Sequence, residues 1–106
     1  MRKASILYKD EQAGTLIQHD NGSFTFQYDD AWLIDSQKSS ISLTLPKSEE
    51  VYHSRYLFPF FYQLLPEGSN KELICRHNKI DKNDDFALLT LTAADDAIGA
   101  VRVIKI

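Results

Sequence analysis

The chain has 106 residues, the length of one ordinary domain, with 43% apolar and 25% charged residues, which excludes a disordered or fibrous protein. Lys and Arg number 12 against 15 Asp and Glu, a net charge of −3 spread evenly along the chain. That balance speaks against electrostatic capture of nucleic acid or of an anionic membrane. A single cysteine, Cys75, excludes an intramolecular disulfide framework and a Cys-only zinc site. Met1–Leu7 is too briefly apolar for the core of a signal peptide, and Tyr56–Pro66 is too short to span a bilayer. We therefore expect a cytoplasmic chain forming one domain over residues 1–106, with no membrane and no direct nucleic-acid partner.

The first half reads as antiparallel β. Lys3–Lys9 and Gln12–His19 form two strands around a polar turn at Asp10-Glu11. Asp20-Asn21-Gly22 supplies the positive-φ residues of a tight hairpin. Ser23–Tyr28 alternates cleanly, with Phe24, Phe26 and Tyr28 on one face and Ser23, Thr25 and Gln27 on the other. Ala31–Ile34 is apolar but too short to assign. Ser40–Leu45 alternates again and predicts a strand with Ile41, Leu43 and Leu45 inward, ending at Pro46. Val51–Tyr56 suits one more extended piece.

The period then changes. Pro59 sits where a helix's first turn tolerates it, ahead of Phe60–Leu65, and Pro66-Glu67-Gly68 breaks that helix. Ser69-Asn70-Lys71-Glu72 has the form of a capping box, with Ser69 as the cap. The helix that follows carries Leu73, Ile74 and His77 on one stripe and stops near Asn78. Asp81 or Asp84 caps a further helix through Phe86, Leu88, Leu89 and Leu91, and Ala97–Ile106 is a last strand around Gly99. The expected fold class is α+β: a small antiparallel sheet or partly closed barrel of about five to six strands, with two to three short helices at one end.

Reactive chemistry is sparse. Gly14, Gly22, Gly68 and Gly99 lie too far apart to make a phosphate-cradling loop. His19, His53 and His77 are scattered, and Cys75-x-His77 places its two side chains on different helix faces. The carboxylate pairs Asp29-Asp30, Glu49-Glu50, Asp84-Asp85 and Asp95-Asp96 fall in turns or caps, where solvated turn chemistry explains them. Ser39, Ser40 and Ser42 have no Gly-x-Ser-x-Gly context. We expect no catalytic residues, no metal and no cofactor. Phe24, Phe26 and Tyr28 would suit a base-stacking platform, but their neighbours Asp20, Asp29 and Asp30 favour a core face instead.

One stretch carries more apolar surface than so small a domain covers easily. Eight of the ten residues from Tyr56 to Leu65 are apolar or aromatic. Wound as a helix they are apolar all round, which predicts a surface waiting for a partner; drawn out as a buried strand they are core.

At this stretch the chain resembles a known family. Tyr8…Ala13-Gly14-x-Leu16, Phe24-x-Phe26-x-Tyr28 and Ile41-Ser42-Leu43-Thr44-Leu45-Pro46 come first. Phe60-Phe61-x-x-Leu64-Leu65-Pro66-Glu67-Gly68, Asp84-Asp85-Phe86-x-Leu88-Leu89 and Ile98-Gly99-Ala100-Val101 follow. In this order they resemble the N-terminal subdomain of the HipA serine/threonine kinase toxins, nearly end to end. A free-standing version resembles HipS, the small antitoxin component of HipBST systems. The resemblance implies a non-catalytic protein that docks on a HipT-like kinase toxin and inhibits it, with a HipB-like helix-turn-helix protein completing a ternary complex. A structural or activating subunit of the same kinase is the alternative, and a small nucleic-acid-binding β domain is a third. For the partner-binding site we expect Tyr62, Leu65, Pro66 and Glu67: Phe60, Phe61 and Leu64 hold the helix on the sheet, while Leu65 and the turn after it reach outward as an apolar plug.

Overall fold

The computed structural model describes residues 1–94 and 100–106. Asp95-Asp96, the Ala97–Gly99 portion of the expected last strand and the Ile98-Gly99 half of the closing motif lie outside the described residues. Among the described residues, β1 (Arg2–Tyr8), β2 (Glu11–Gln18), β3 (Phe24–Tyr28), β4 (Val51–Ser54) and β5 (Val101–Lys105) form one antiparallel sheet in the order β4-β3-β2-β1-β5. Four short helices accompany it: α1 (Asp30–Ile34), α2 (Pro59–Tyr62), α3 (Gly68–Asn78) and α4 (Asp85–Thr92). The α+β class is as expected; the sheet is open and not a partly closed barrel, and the described residues form four helices where two to three were expected.

The first three strands follow the sequence pattern because alternation and turn chemistry agree. The β1–β2 hairpin turns at Lys9-Asp10, one residue earlier than expected, with both residues left-handed (φ 50° and 68°). The second hairpin turns at Asn21-Gly22: Gly22 takes φ 89°, and the Asn21 side chain accepts from the Ser23 amide at 3.0 Å. A bulge opposite Ile6-Leu7 inserts Ala13 into β2, and its carbonyl accepts from the Asp29 amide at 2.9 Å. Beside it, Gly14 has no room for a side chain, because a Cβ there would lie 2.3 Å from the Gln27 carbonyl oxygen.

Ala4, Ile6, Leu16, Phe24, Phe26, Tyr28 and Val103 point inward and join Trp32, Phe61, Phe86, Leu88 and Leu89 from the helices in one buried cluster. Phe26 sits at its centre, edge-on to Tyr28 (centroids 4.8 Å apart) and 5.8 Å from Phe61. Among the described residues, no buried side-chain nitrogen or oxygen lacks a hydrogen-bond partner.

Three local expectations are corrected. Ser40–Leu45 is not a strand. Ile41 and Leu45 are buried, but Leu43 is fully exposed, and the segment reverses on itself through a single Ser42–Leu45 bridge. The Tyr28 hydroxyl takes the place of a neighbouring strand, accepting from the Ile41 amide at 3.1 Å and donating to the Leu45 carbonyl. Ser69 is not a cap. Gly68, at φ 60°, starts α3 one residue earlier with Glu67 at the N-cap, so Ser69 lies inside the first turn. The buried face of α3 is centred on Cys75, with Ile74 half-buried beside it; Leu73 is 65% exposed and His77 is exposed. That helix ends as expected at Asn78, where Lys79 (φ 55°) lets the Ile80 amide reach back to the Cys75 carbonyl at 2.9 Å.

The far end is fastened by Asp84. Its side chain caps α4 through the Ala87 amide at 3.2 Å and accepts two hydrogen bonds, at 3.1 and 2.8 Å, from the Arg2 guanidinium. Arg2 also lies over the Phe86 ring at 4.9 Å. The Arg2 guanidinium holds the Asp84 carboxyl below the usual carboxylate range, against an opposing push from partial burial.

Candidate functional site

The segment from Phe58 to Lys71 folds as a short helix, a tight turn and the start of a second helix. Pro59 occupies the first turn of α2, and the Phe58 carbonyl accepts from the amides of Phe61 and Tyr62, both at 2.9 Å. The winding tightens through Gln63 to Leu65, whose amide bonds the Tyr62 carbonyl at 3.1 Å. Pro66 then ends it, because a residue before proline is pushed out of the helical region. Glu67 is extended, and the left-handed Gly68 turns the chain into α3. Gly68 is required for its backbone alone: a Cβ there would meet nothing within 4 Å, but φ 60° strains any residue with a side chain.

This turn brings the four expected residues together. Tyr62, Leu65, Pro66 and Glu67 line one hollow of about 220 Å³, with Gly68 and Lys71. Tyr62 is 54% exposed, Glu67 is exposed and Pro66 is half-buried. Leu65 differs from expectation. It is only 6% exposed and belongs to the core cluster, so in the free chain it is no outward plug. The tightened turn after α2 rolls Leu65 into the core cluster, while Phe60 and Leu64 pack against the cluster's margin as expected.

Sequence reasoning missed Gly68 and Lys71 as lining residues. The available signal is spacing, since Lys71 follows Glu67 by four residues and so lies one turn into α3. Burial pushes the Asp85 carboxyl above its ordinary range, and the charge of Lys71, one of the lining residues, opposes that push.

The apolar stretch is not a strand, and it divides between core and surface. Leu57, Phe58, Phe61 and Leu65 are buried, whereas Tyr56 and Tyr62 stand out from the surface.

Elsewhere among the described residues, polar side chains gather at Thr25. His19 and His53, far apart in sequence, converge on the nearly buried Thr25 hydroxyl: His19 Nε2 at 2.7 Å and His53 Nδ1 at 2.9 Å. A hydroxyl has one proton, so it donates to one ring and accepts from the other. One nitrogen of each ring is thereby engaged by Thr25. Among the described residues, no group of three or more His, Cys, Asp or Glu side chains is arranged to hold a metal ion. None of the described helices is long and apolar enough to cross a membrane.

The HipA N-terminal domain family matches residues 4–104. An uncharacterized protein of Haemophilus influenzae is 35% identical over 88 residues, which cover 83% of this chain and 78% of that one. A Sinorhizobium fredii protein named "Putative kinase Y4mE" is 32% identical over 104 residues, covering 98% of this chain but 24% of the longer protein, so the chain spans about a quarter of that relative. A solved structure titled "N-terminal domain of HipA toxin" superposes with a TM-score of 0.75 at 30% identity, covering all of this chain and 93% of the other. With the family match running from β1 to β5 and the same fold in a solved relative, the chain belongs to the HipA N-terminal domain family.

Proposed function

We propose that this chain is a HipS-like antitoxin subunit: a non-catalytic, cytoplasmic protein that binds a HipT-like serine/threonine kinase toxin and inhibits it, in a ternary complex with a HipB-like helix-turn-helix protein. The observation that carries this reading is the extent of the likeness. The chain covers 93% of a solved HipA N-terminal domain and about a quarter of the Sinorhizobium relative. What it shares with that relative, whose printed name is a putative kinase, is this one domain. The Haemophilus relative supports it, since 88 aligned residues make up 78% of that protein, so the domain also occurs in a short chain.

The hollow at the α2–α3 turn is the proposed contact surface. Tyr62, Pro66 and Glu67 meet the kinase directly, and Leu65 supports them from beneath. An exposed tyrosine beside a rigid proline turn suits an interface anchor, because both bury area at small cost in conformational freedom. Wedged against the kinase's mobile nucleotide-side loops, this corner disfavours the closed, active arrangement.

The test is co-expression of the chain with a HipT-like kinase toxin, combined with pull-down. Growth rescue together with co-purification supports the inhibitory role. Co-purification with undiminished or enhanced toxicity makes the chain a structural or activating subunit instead. No co-purification removes the reading altogether.

A further inference from the structure

The motif Ile41-Ser42-Leu43-Thr44-Leu45-Pro46 is not part of the α2–α3 corner, and its structure is unusual. It lies in the 16-residue connection from Asp35 to Glu50, which joins α1 to β4 without a strand or helix of its own. Connections of that length in compact domains are commonly functional. This one is held by side chains along its length. The Trp32 indole donates to the Ser39 carbonyl at 3.0 Å. Lys47 Nζ donates to the carbonyls of Asp35 and Lys38 at 2.8 and 2.7 Å, and the Lys47 amide donates to Ser40 Oγ at 2.9 Å. The Tyr28 hydroxyl bridges Ile41 and Leu45, and the Tyr52 hydroxyl donates to the Pro46 carbonyl at 2.6 Å. At the tip, Ser42 Oγ and Thr44 Oγ1 lie 2.9 Å apart, and the Leu45 amide closes the turn on the Ser42 carbonyl at 3.2 Å. The one large apolar side chain this mount holds exposed is Leu43, at 100%.

We propose that this loop is a second, preorganised docking element, and that Leu43 inserts into an apolar pocket on the same kinase partner that covers the α2–α3 corner. The proposal rests on the functional reading above. Three observations select that occupant. The loop and α2 stand on the same side of the sheet, joined through side chains in contact: Tyr28 bonds the loop and packs on Phe26, and Phe26 packs on Phe61 of α2. The corner alone is a small contact, whereas a stable interface takes about 800 Å² from each partner, so a protein seated there must reach further over this face. Residues 39–46 carry no charge. Nucleic acid is held through cations, and one leucine is too little for a lipid surface, so the tip suits an apolar protein pocket with a polar rim for Ser42 and Thr44. Because the fold already holds the loop, binding orders little backbone, which favours affinity.

Binding of the intact chain to a purified HipT-like kinase, measured by surface plasmon resonance, tests this with Leu43→Ser, Lys47→Met and Tyr62→Ala. Leu43→Ser should melt like the native chain yet bind about tenfold more weakly, mainly through faster dissociation. Lys47→Met keeps the leucine but frees two clamped carbonyls, and should also weaken binding. If Leu43→Ser binds as the native chain does while Tyr62→Ala is weakened, the loop proposal fails and the functional reading stands. If the native chain does not bind the kinase, both fail.

Discussion

The sheet strands from Arg2 to Tyr28 and the segment from Asp35 to Glu67 are built on different principles. In the first, the backbone ladder does the holding: β1, β2 and β3 pair along their length with one bulge, the turns are short, and alternate side chains fill the core. In the second, β4 is only four residues long and α2 a single turn, and side chains do the holding: Tyr28, Tyr52, Trp32 and Lys47 fasten a connection with little regular structure. A ladder fixes a platform but leaves its side chains in regular rows. Side-chain clamps allow an irregular path, and it is along that path that Leu43, Tyr56 and Tyr62 stand exposed. The division gives stability to the first region and, under the proposed function, recognition to the second.

Substitutions sharpen this contrast in decreasing order of effect. Phe26→Ala empties the centre of the aromatic cluster and should cost about 3–5 kcal/mol in urea melts, enough to unfold a domain of this size. Leu65→Ala, at a buried position in the second region, should cost about 2–5 kcal/mol. A Leu65→Ala midpoint equal to that of the native chain would show that the turn leaves Leu65 outside the core.

Tyr28→Phe keeps the ring and removes the hydroxyl that stands in for a strand, leaving the Ile41 amide and Leu45 carbonyl unpaired. About 1–3 kcal/mol should be lost, with faster proteolytic cleavage near Leu43. Unchanged cleavage would mean the other clamps suffice.

The acid limb separates the Asp84 clasp from the rest. Because the Asp84 carboxyl titrates lower in the folded chain than in the unfolded one, its contribution is present above the ordinary Asp value and lost as pH falls through the lower folded value. Asp84→Asn should therefore lower stability at neutral pH and flatten the stability profile below about pH 4. Asp85, raised by burial, works in the opposite sense: its charged form weakens the fold as pH rises through the carboxylate range. Asp85→Asn should thus stabilise the chain at neutral pH. Smallest of all, Ser69→Ala should change stability by no more than about 0.5 kcal/mol, because Ser69 is an exposed residue within the first turn of α3.

These two regions also divide what is legible in the sequence. Phe24-x-Phe26-x-Tyr28 and Asn21-Gly22 are local signals that tertiary structure had no reason to override. Asp84 likewise announces the cap of α4, in contrast to Ser69, whose capping box is displaced by Gly68 starting the helix one residue early. Ile41–Leu45 misleads because period-two alternation also arises in a tight turn with two buried feet. Only the position of the Tyr28 hydroxyl, 13 residues before Ile41, distinguishes the two. The site residues Tyr62, Leu65, Pro66 and Glu67 are legible as a cluster from the Pro-Glu-Gly break, but the inward roll of Leu65 depends on the tightened turn after α2, which periodicity does not encode.

The central claim is that the α2–α3 corner of this chain restrains a kinase. The most direct measurement is phosphate transfer by a purified HipT-like kinase with and without a stoichiometric amount of the chain. The account predicts that the native chain suppresses transfer and that Tyr62→Ala, with an unchanged melting midpoint, suppresses it markedly less; transfer left unchanged or raised by the native chain contradicts it.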